Sequence, residues 1–150
     1  MAEVFLDTNV VVYAFDAADR AKQRRALAVL AENPDATIST QVLLEWFVAV
    51  TRKLTPPLPP TQAQAALESL AKLSVVSADA DLVIRASRTA VDHQLSIWDA
   101  MVVEAAVLAG CRTLLTEDLN DGQTIRGVTI ANPFLASPGE ETENPSPNKV

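Results

Sequence analysis

The sequence contains only one cysteine and one histidine, and both scarcities limit the chemistry that the chain can support. Cys111 has no partner for an internal disulfide, so we expect a small buried hydrophobe in a protein of a reducing compartment. Zinc sites are usually built from several cysteine or histidine side chains, which argues against zinc here. His93 falls at a predicted helix end, and nothing indicates that it forms a triad with the nearby Ser96.

Glycine-rich loops and long apolar runs are also missing. The glycines lie at positions 110, 122, 127 and 139, so neither a P-loop nor a dinucleotide-binding motif is present. No apolar stretch approaches the roughly 20 residues of a membrane-spanning helix, and the start of the chain lacks the features of a signal peptide. We therefore expect a soluble, cytoplasmic protein that does not depend on a nucleotide cofactor.

Aromatic residues make up 5% of the chain, whereas hydrophobic residues make up 49%. The core should therefore consist mainly of Ala, Val, Leu and Ile, with Trp46, Phe47 and Trp98 as its predicted aromatic members. A length of 150 residues fits one domain with enough apolar surface to fold unaided.

The formal net charge is −7, which by itself argues against a phosphate-rich partner. However, bound cations belong in the charge count, and two divalent ions held by four carboxylates would offset much of this excess. The acidity can therefore itself indicate a metal site.

Short β-like runs alternate with longer helical patterns along the chain. We predict strands at residues 4–6, 36–39, 74–76, 113–115 and 128–130, and helices at residues 20–32, 41–54, 61–73, 79–93 and 97–109. Parallel strands need a crossover between them, so the alternation predicts an α/β fold. The expected architecture is a three-layer α/β/α sandwich with a mostly parallel five-stranded sheet.

The predicted domain spans residues 1–135. Residues 136–150 form an acidic, Pro-containing segment with little to bury, and we expect a disordered tail. Within the domain, Thr61 and Gln64 match a capping box at a helix start, and Gly110 is suited to a left-handed helix stop.

Four carboxylates that are far apart in the sequence are predicted to meet at one edge of the sheet. Asp7 and Asp118 each follow a predicted buried strand, where α/β proteins bind their ligands. Glu45 and Asp99 fall early in helices that should begin at the same edge. Because grouped carboxylates repel one another, a divalent cation is the natural way to stabilise them. Mg²⁺ and Mn²⁺ prefer such oxygen ligands, so the sequence predicts a site for either ion.

Each acid also has an ordinary structural explanation. Asp99 could simply complete a capping box, and Glu45 could lie on a solvated helix flank. Asp118 and Asp121 stand in a turn-like segment whose chemistry alone could account for them. Asp7 is harder to explain in this way, because the strand before it should be buried.

The segments Leu6–Val10, Leu44–Trp46, Ile97–Ala100 and Leu115–Asp118 together resemble the motif series of the PIN-domain family, especially the VapC-type toxins of toxin–antitoxin pairs. The resemblance covers residues 1–135 and depends on the order and context of these segments. It implies an Mg²⁺- or Mn²⁺-dependent endoribonuclease that cleaves single-stranded or looped RNA, forms a homodimer and is silenced by an antitoxin protein.

The resemblance also implies roles for individual residues. The catalytic and metal-binding positions are Asp7, Glu45, Asp99 and Asp118. Asn9 and Thr116 are expected to hydrogen-bond to these carboxylates. Asp121 lies in the same loop as Asp118, so it could replace or accompany Asp118 as the fourth ligand.

A basic cluster provides candidate contacts to RNA phosphates, although a solvated helix face would look the same. Its members are Arg20, Lys22, Arg24 and Arg25.

Two other classes of function also fit an alternating α/β pattern: a receiver-like signalling domain, and a PIN-like module that binds RNA or protein without cutting. An aspartyl phosphatase is disfavoured, because Asn9 stands where its second acid is expected.

Overall fold

A six-stranded sheet forms the centre of the computed structural model, which describes residues 3–135. Its strands are β1 (Val4–Leu6), β2 (Thr37–Ser39), β3 (Ser74–Val76), β4 (Thr113–Leu115), β5 (Thr124–Ile125) and β6 (Val128–Ala131). They are arranged in the order β3-β2-β1-β4-β6-β5, and every pairing is parallel except that of β5 with β6.

Six helices within residues 3–135 flank the sheet. They are α1 (Thr8–Tyr13), α2 (Arg20–Glu32), α3 (Thr40–Arg52), α4 (Pro60–Leu70), α5 (Ala80–His93) and α6 (Ile97–Leu108). Helix α3 packs against α1 and α4, while α5 packs against α6, which itself contacts β2, β4 and β6. This arrangement confirms the predicted three-layer α/β/α sandwich.

The core is built from aliphatic side chains around a few aromatic ones, as the composition predicts. Trp46, Phe5 and Ile38 are fully buried, and α6 is buried on nearly all sides from Ala100 to Ala106. Cys111 is buried as expected, and Gly110 adopts a positive φ of 73° just after α6. No helix in residues 3–135 is long and apolar enough to cross a membrane.

Several details of the prediction are wrong. The sheet has a sixth strand, β5, which was missed because only two residues pair with β6 around a turn at Arg126 and Gly127. The short helix α1 was missed because it begins directly after β1 and Asp7. The predicted capping box at Thr61 is absent, since α4 begins at Pro60, a position where a missing backbone N–H costs nothing.

Trp98 is not a core aromatic. Its side chain is 65% exposed, whereas Trp46 is fully buried and Phe47 is partly buried. Trp98 lies in the first turn of α6, ahead of the buried stretch that made the whole helix appear internal. The predicted tail at residues 136–150 lies outside the residues that the structure describes.

The strand order brings the ends of three strands together. β1 lies between β2 and β4, with Phe5 beside Thr37 and Leu6 beside Leu115. The chain segments that leave the carboxyl ends of these strands are therefore neighbours, although they are distant in sequence.

Candidate metal centre

Asp7 lies at the carboxyl end of β1 and caps the start of α1. Its carboxylate accepts a hydrogen bond from the Thr8 amide at 2.7 Å and another from the Thr116 hydroxyl at 2.8 Å. The residue is only 6% exposed. Burial raises the pKa of Asp7 to about 6; the two hydrogen bonds oppose this shift, and the charges of Asp118 and Glu45 add to it.

Glu45 reaches the same edge from α3. The Ser39 hydroxyl accepts a hydrogen bond from the Val42 amide and so starts this helix directly after β2. Glu45 lies in the second turn, where its carboxylate accepts hydrogen bonds from the Thr8 hydroxyl at 2.6 Å and the Gln41 amide at 2.7 Å. It therefore faces the edge of the sheet and not a solvated flank.

Asp118 is held at this edge by a side chain from α1. Asn9 donates one hydrogen bond to the Asp118 carboxylate at 3.0 Å and one to the Thr116 hydroxyl at 3.2 Å. The Asp118 amide also donates to the Thr116 hydroxyl, at 3.1 Å. Asn9 and Thr116 thus connect Asp118 to Asp7 through hydrogen bonds.

Asp99 lies in the first turn of α6. Its amide donates to the Ser96 hydroxyl at 3.1 Å, so the predicted cap at this helix start is present. Partial burial raises the pKa of Asp99; a side-chain hydrogen bond with Ser96 opposes the shift, and the charges of Asp118 and Glu45 reinforce it. Ser96 therefore caps α6, and the Asp99 carboxylate in its first turn lies within electrostatic reach of Asp118 and Glu45.

An open cleft of about 680 Å³ lies over these groups. Glu45, Asp118 and Asn9 line it, together with Trp98 and an apolar wall that includes Leu44. Asp7 and Asp99 are not among its lining residues, and neither is Asp121. The Asp121 carboxylate instead accepts a hydrogen bond from the Asn132 amide at 2.8 Å.

Comparison with family models assigns residues 4–120 to the PIN domain. The match spans well over half of the chain. This chain belongs to the PIN-domain family. Its membership excludes the receiver-like reading of the α/β pattern. No match was found among curated protein sequences.

Solved structures with the same PIN fold include several toxins. A toxin–antitoxin complex from Klebsiella pneumoniae is 22% identical with a TM-score of 0.67, covering 87% of this chain and 98% of that one. VapC20 from Mycobacterium tuberculosis, described as a sarcin–ricin loop cleaving toxin, is 22% identical with a TM-score of 0.61, covering 74% and 86%. VapBC2 from Rickettsia felis, bound to a promoter DNA fragment, is 23% identical with a TM-score of 0.59, covering 86% and 97%.

The donor set of this PIN domain suits a hard cation. The groups at the cleft are carboxylate, hydroxyl and amide oxygens, and Lys53 is the one lysine or arginine that lines it in residues 3–135. Within those residues no three acidic, histidine or cysteine side chains already stand as the ligands of one ion. Thr8 and Gln41 hold Glu45, so a cation shared with Asp7 and Asp118 requires side-chain rearrangement.

The four members of the predicted basic cluster of the PIN domain differ in their contacts. Lys22 forms an ion pair with Glu117 at 3.0 Å, and Arg25 donates to the Pro133 carbonyl at 2.8 Å. Arg20, Arg24 and Arg25 are exposed. The ion pair of Lys22 was not predictable from the sequence, because Glu117 lies 95 residues away and only the fold brings the two together.

Tyr13 and Thr8 are further residues at the site that the sequence analysis did not assign. Tyr13 lines the cleft and donates to the Glu117 carboxylate at 2.5 Å, while Thr8 connects Asp7 to Glu45. The signal available for Thr8 was its position in the polar run Asp7–Asn9 that follows the first buried strand, whereas Tyr13 comes after three valines and has no such signal.

Proposed function

We propose that this PIN domain is an Mg²⁺- or Mn²⁺-dependent endoribonuclease, the toxin of a toxin–antitoxin pair, that acts in the cytoplasm. The observation that carries the proposal is the shared edge of the sheet, where Thr8 joins Asp7 to Glu45 and Thr116 joins Asp7 to Asp118. The proposed catalytic unit is residues 1–135, followed by the acidic tail at 136–150.

The proposed ligands of the cation are Asp7, Glu45, Asp99 and Asp118. When bound, the ion supplies Lewis acidity and positive charge against the scissile phosphodiester. Asp121 is a weaker candidate, because its carboxylate is engaged by the Asn132 amide.

The neighbouring side chains orient these ligands. The Thr116 hydroxyl donates to Asp7 and accepts from the Asn9 amide and the Asp118 backbone, so it fixes the two acids relative to each other. Gln41 donates to Glu45 and also, at 3.4 Å, to the Trp98 carbonyl, which connects α3 to the start of α6. Such supporting contacts commonly decide whether ligands are held in a usable geometry.

RNA is the proposed substrate. VapC20, which has a similar fold, is described as a sarcin–ricin loop cleaving toxin, and this supports an RNA target. Arg20 and Arg24 are exposed members of the basic cluster that could contact phosphates, and the exposed Trp98 provides an aromatic surface at the cleft. These features favour a single-stranded or looped substrate whose backbone can reach the recessed acids.

The proposed protein partners are an antitoxin and a second copy of the chain. The solved structures of similar fold include toxin–antitoxin complexes, and this supports an antitoxin as a partner. Val83, Ile84 and Val91 are 46%, 51% and 79% exposed on α5, an apolar surface that suits a homodimer. Light scattering tests the dimer, which requires twice the 16.1 kDa chain mass.

RNA cleavage with and without metal tests the proposal. We expect the protein to cut RNA with Mg²⁺ or Mn²⁺ and to be inactive in EDTA. Asp7→Asn and Asp99→Asn should each lower the rate by about 10²-fold or more, as loss of an electrostatic catalytic group does. Lys72→Met, a charge change at an exposed residue away from the cleft, is the control. Full activity in both Asn variants would reject the proposed site. RNA binding by wild type without any metal-dependent cleavage would favour a non-catalytic binding module.

A further inference from the structure

Two neighbouring carboxylates in one loop have opposite surroundings. Glu117 is directed toward Tyr13 and Lys22, whereas Asp118 is directed toward Asn9 and lines the cleft. The loop therefore keeps one of its two adjacent acids away from the cleft. The sequence alone offers no reason for this difference, because both acids stand side by side in the loop after β4.

Lys22 is the cation that holds Glu117. Its ammonium group lies 3.0 Å from the Glu117 carboxylate and 3.1 Å from the Tyr13 hydroxyl. It also lies 4.5 Å from the centre of the Tyr13 ring and 5.6 Å from that of Phe134. The Lys22 amide donates to Asp19, which caps α2, so the backbone of this lysine is fixed as well.

Tyr13 closes the cluster on the side of the cleft. Its hydroxyl donates to the Glu117 carboxylate at 2.5 Å, and its ring packs edge-on against Phe134 with the centres 4.9 Å apart. Glu117 thus accepts from both Lys22 and Tyr13, and its side chain is only 23% exposed. The cluster joins α1, α2 and the loop that carries Asp118.

We propose that Lys22 is a positioning residue. Its ammonium group retains Glu117 beside Tyr13, so that of these two adjacent acids only Asp118 faces the cation site. This inference rests on the proposed function. Without Lys22, Glu117 would be an uncompensated negative charge next to Asp118, in a region that already contains Asp7 and Glu45. Repulsion would then displace the loop, or Glu117 would compete with Asp118 for the ion.

A direct contact with RNA phosphate is the rival role for Lys22. That role needs a cation directed at the substrate, whereas the Lys22 ammonium already has Glu117 and Tyr13 as partners. The two roles differ in what Glu117 should do. If Lys22 acts by compensating Glu117, removing the charge of Glu117 should make Lys22 dispensable, but it should not replace a lost phosphate contact.

A double-variant titration with Mn²⁺ alone, without RNA, separates these roles. Calorimetry should find that Lys22→Met weakens Mn²⁺ binding by about 10- to 100-fold, the range seen when groups supporting metal ligands are lost. Lys22→Met combined with Glu117→Gln should return the affinity to within about threefold of wild type, as expected for coupled neighbours. Lys22→Arg should retain binding because it keeps the charge, and Lys72→Met should match wild type.

RNA cleavage gives a second measurement. A positioning role predicts that Lys22→Met lowers kcat with little change in KM, and that the double variant recovers. A phosphate contact predicts instead a higher KM for Lys22→Met and no recovery in the double variant. It also predicts that the slope of log affinity against log salt concentration falls by about one. Thermal unfolding of every variant establishes that each one is folded.

Three results would overturn the inference. They are wild-type Mn²⁺ affinity in Lys22→Met, a double variant as weak as Lys22→Met, and the phosphate-contact pattern in the kinetics. If wild type binds Mn²⁺ and only these Lys22 comparisons fail, the proposed function is unaffected. If wild type itself does not bind Mn²⁺, the proposed metal site and this inference both fail.

Discussion

Two buried carboxylates in this chain have opposite environments. Glu104 on α6 is 2% exposed and accepts hydrogen bonds from Arg126 at 2.9 Å and Thr89 at 2.5 Å. Asp7 is 6% exposed and, within residues 3–135, accepts only from the Thr8 amide and the Thr116 hydroxyl. In this part of the chain, Glu104 thus has a cationic side chain as its partner, and Asp7 has none.

The pKa directions follow this difference. Burial raises the pKa of Glu104, but the hydrogen bonds from Arg126 and Thr89 outweigh it and leave the pKa lowered. Burial also raises the pKa of Asp7, and its neutral donors do not overcome this, so the pKa reaches about 6. A carboxylate that serves the fold is compensated within the chain, whereas Asp7 remains suited to a cation from outside.

The largest expected effect concerns Glu104, the carboxylate that is paired with Arg126. Arg126→Met removes the cation from Glu104 and should lower the free energy of unfolding by about 3 kcal/mol, the lower end for breaking a buried pair, since Arg126 is half exposed. Urea unfolding at pH 7 measures this change, with Arg126→Lys as the charge-retaining control. An unchanged stability would mean that Glu104 does not depend on Arg126.

The uncompensated side should respond in the opposite direction. Asp7→Asn should raise the stability of the metal-free protein at pH 7.5 by about 2 kcal/mol, because a pKa raised from 3.8 to about 6 disfavours the ionised native state. The gain in stability is limited because the amide in Asp7→Asn replaces a carboxylate that accepts hydrogen bonds from Thr8 and Thr116. Urea unfolding in EDTA measures it.

The pH dependence gives the sign of this effect. The folded chain retains the Asp7 proton up to about pH 6, whereas the unfolded chain releases it near 3.8. The contribution of Asp7 to stability is therefore fully present below pH 3.8 and is lost as the pH rises through about 6. The advantage of Asp7→Asn should disappear at pH 3.5. An Asn variant that is less stable than wild type at pH 7.5 would show that Asp7 is already compensated.

Most of the fold was predictable because each element carries its own local pattern. The parallel strands are short apolar runs, and the helices between them have capping residues such as Ser39, Asp79 and Ser96. β5 escaped prediction because its two residues have no periodicity of their own. Trp98 was misassigned because a helix buried on nearly all sides does not reveal which end is exposed.

The candidate site was predictable only in part. The strand order explains why Asp7, Glu45 and Asp118 lie at one edge, and their roles as ligands remain a prediction. The choice between Asp118 and Asp121 depends on Asn132, which is 11 residues from Asp121. The choice between Asp118 and Glu117 depends on Lys22, which is 95 residues from Glu117. Local patterns cannot reveal such partners, because the fold creates them.

The most direct test of the central claim is an Mn²⁺ titration of wild type, Asp118→Asn and Asp121→Asn by calorimetry. If the acids at the edge of the sheet jointly bind a divalent cation, wild type binds Mn²⁺ and Asp118→Asn weakens binding at least about tenfold, or about 1.4 kcal/mol. Asp121→Asn should retain the wild-type affinity, because its carboxylate contacts the Asn132 amide. Equal affinities in all three proteins, or no Mn²⁺ binding by wild type, would contradict the account.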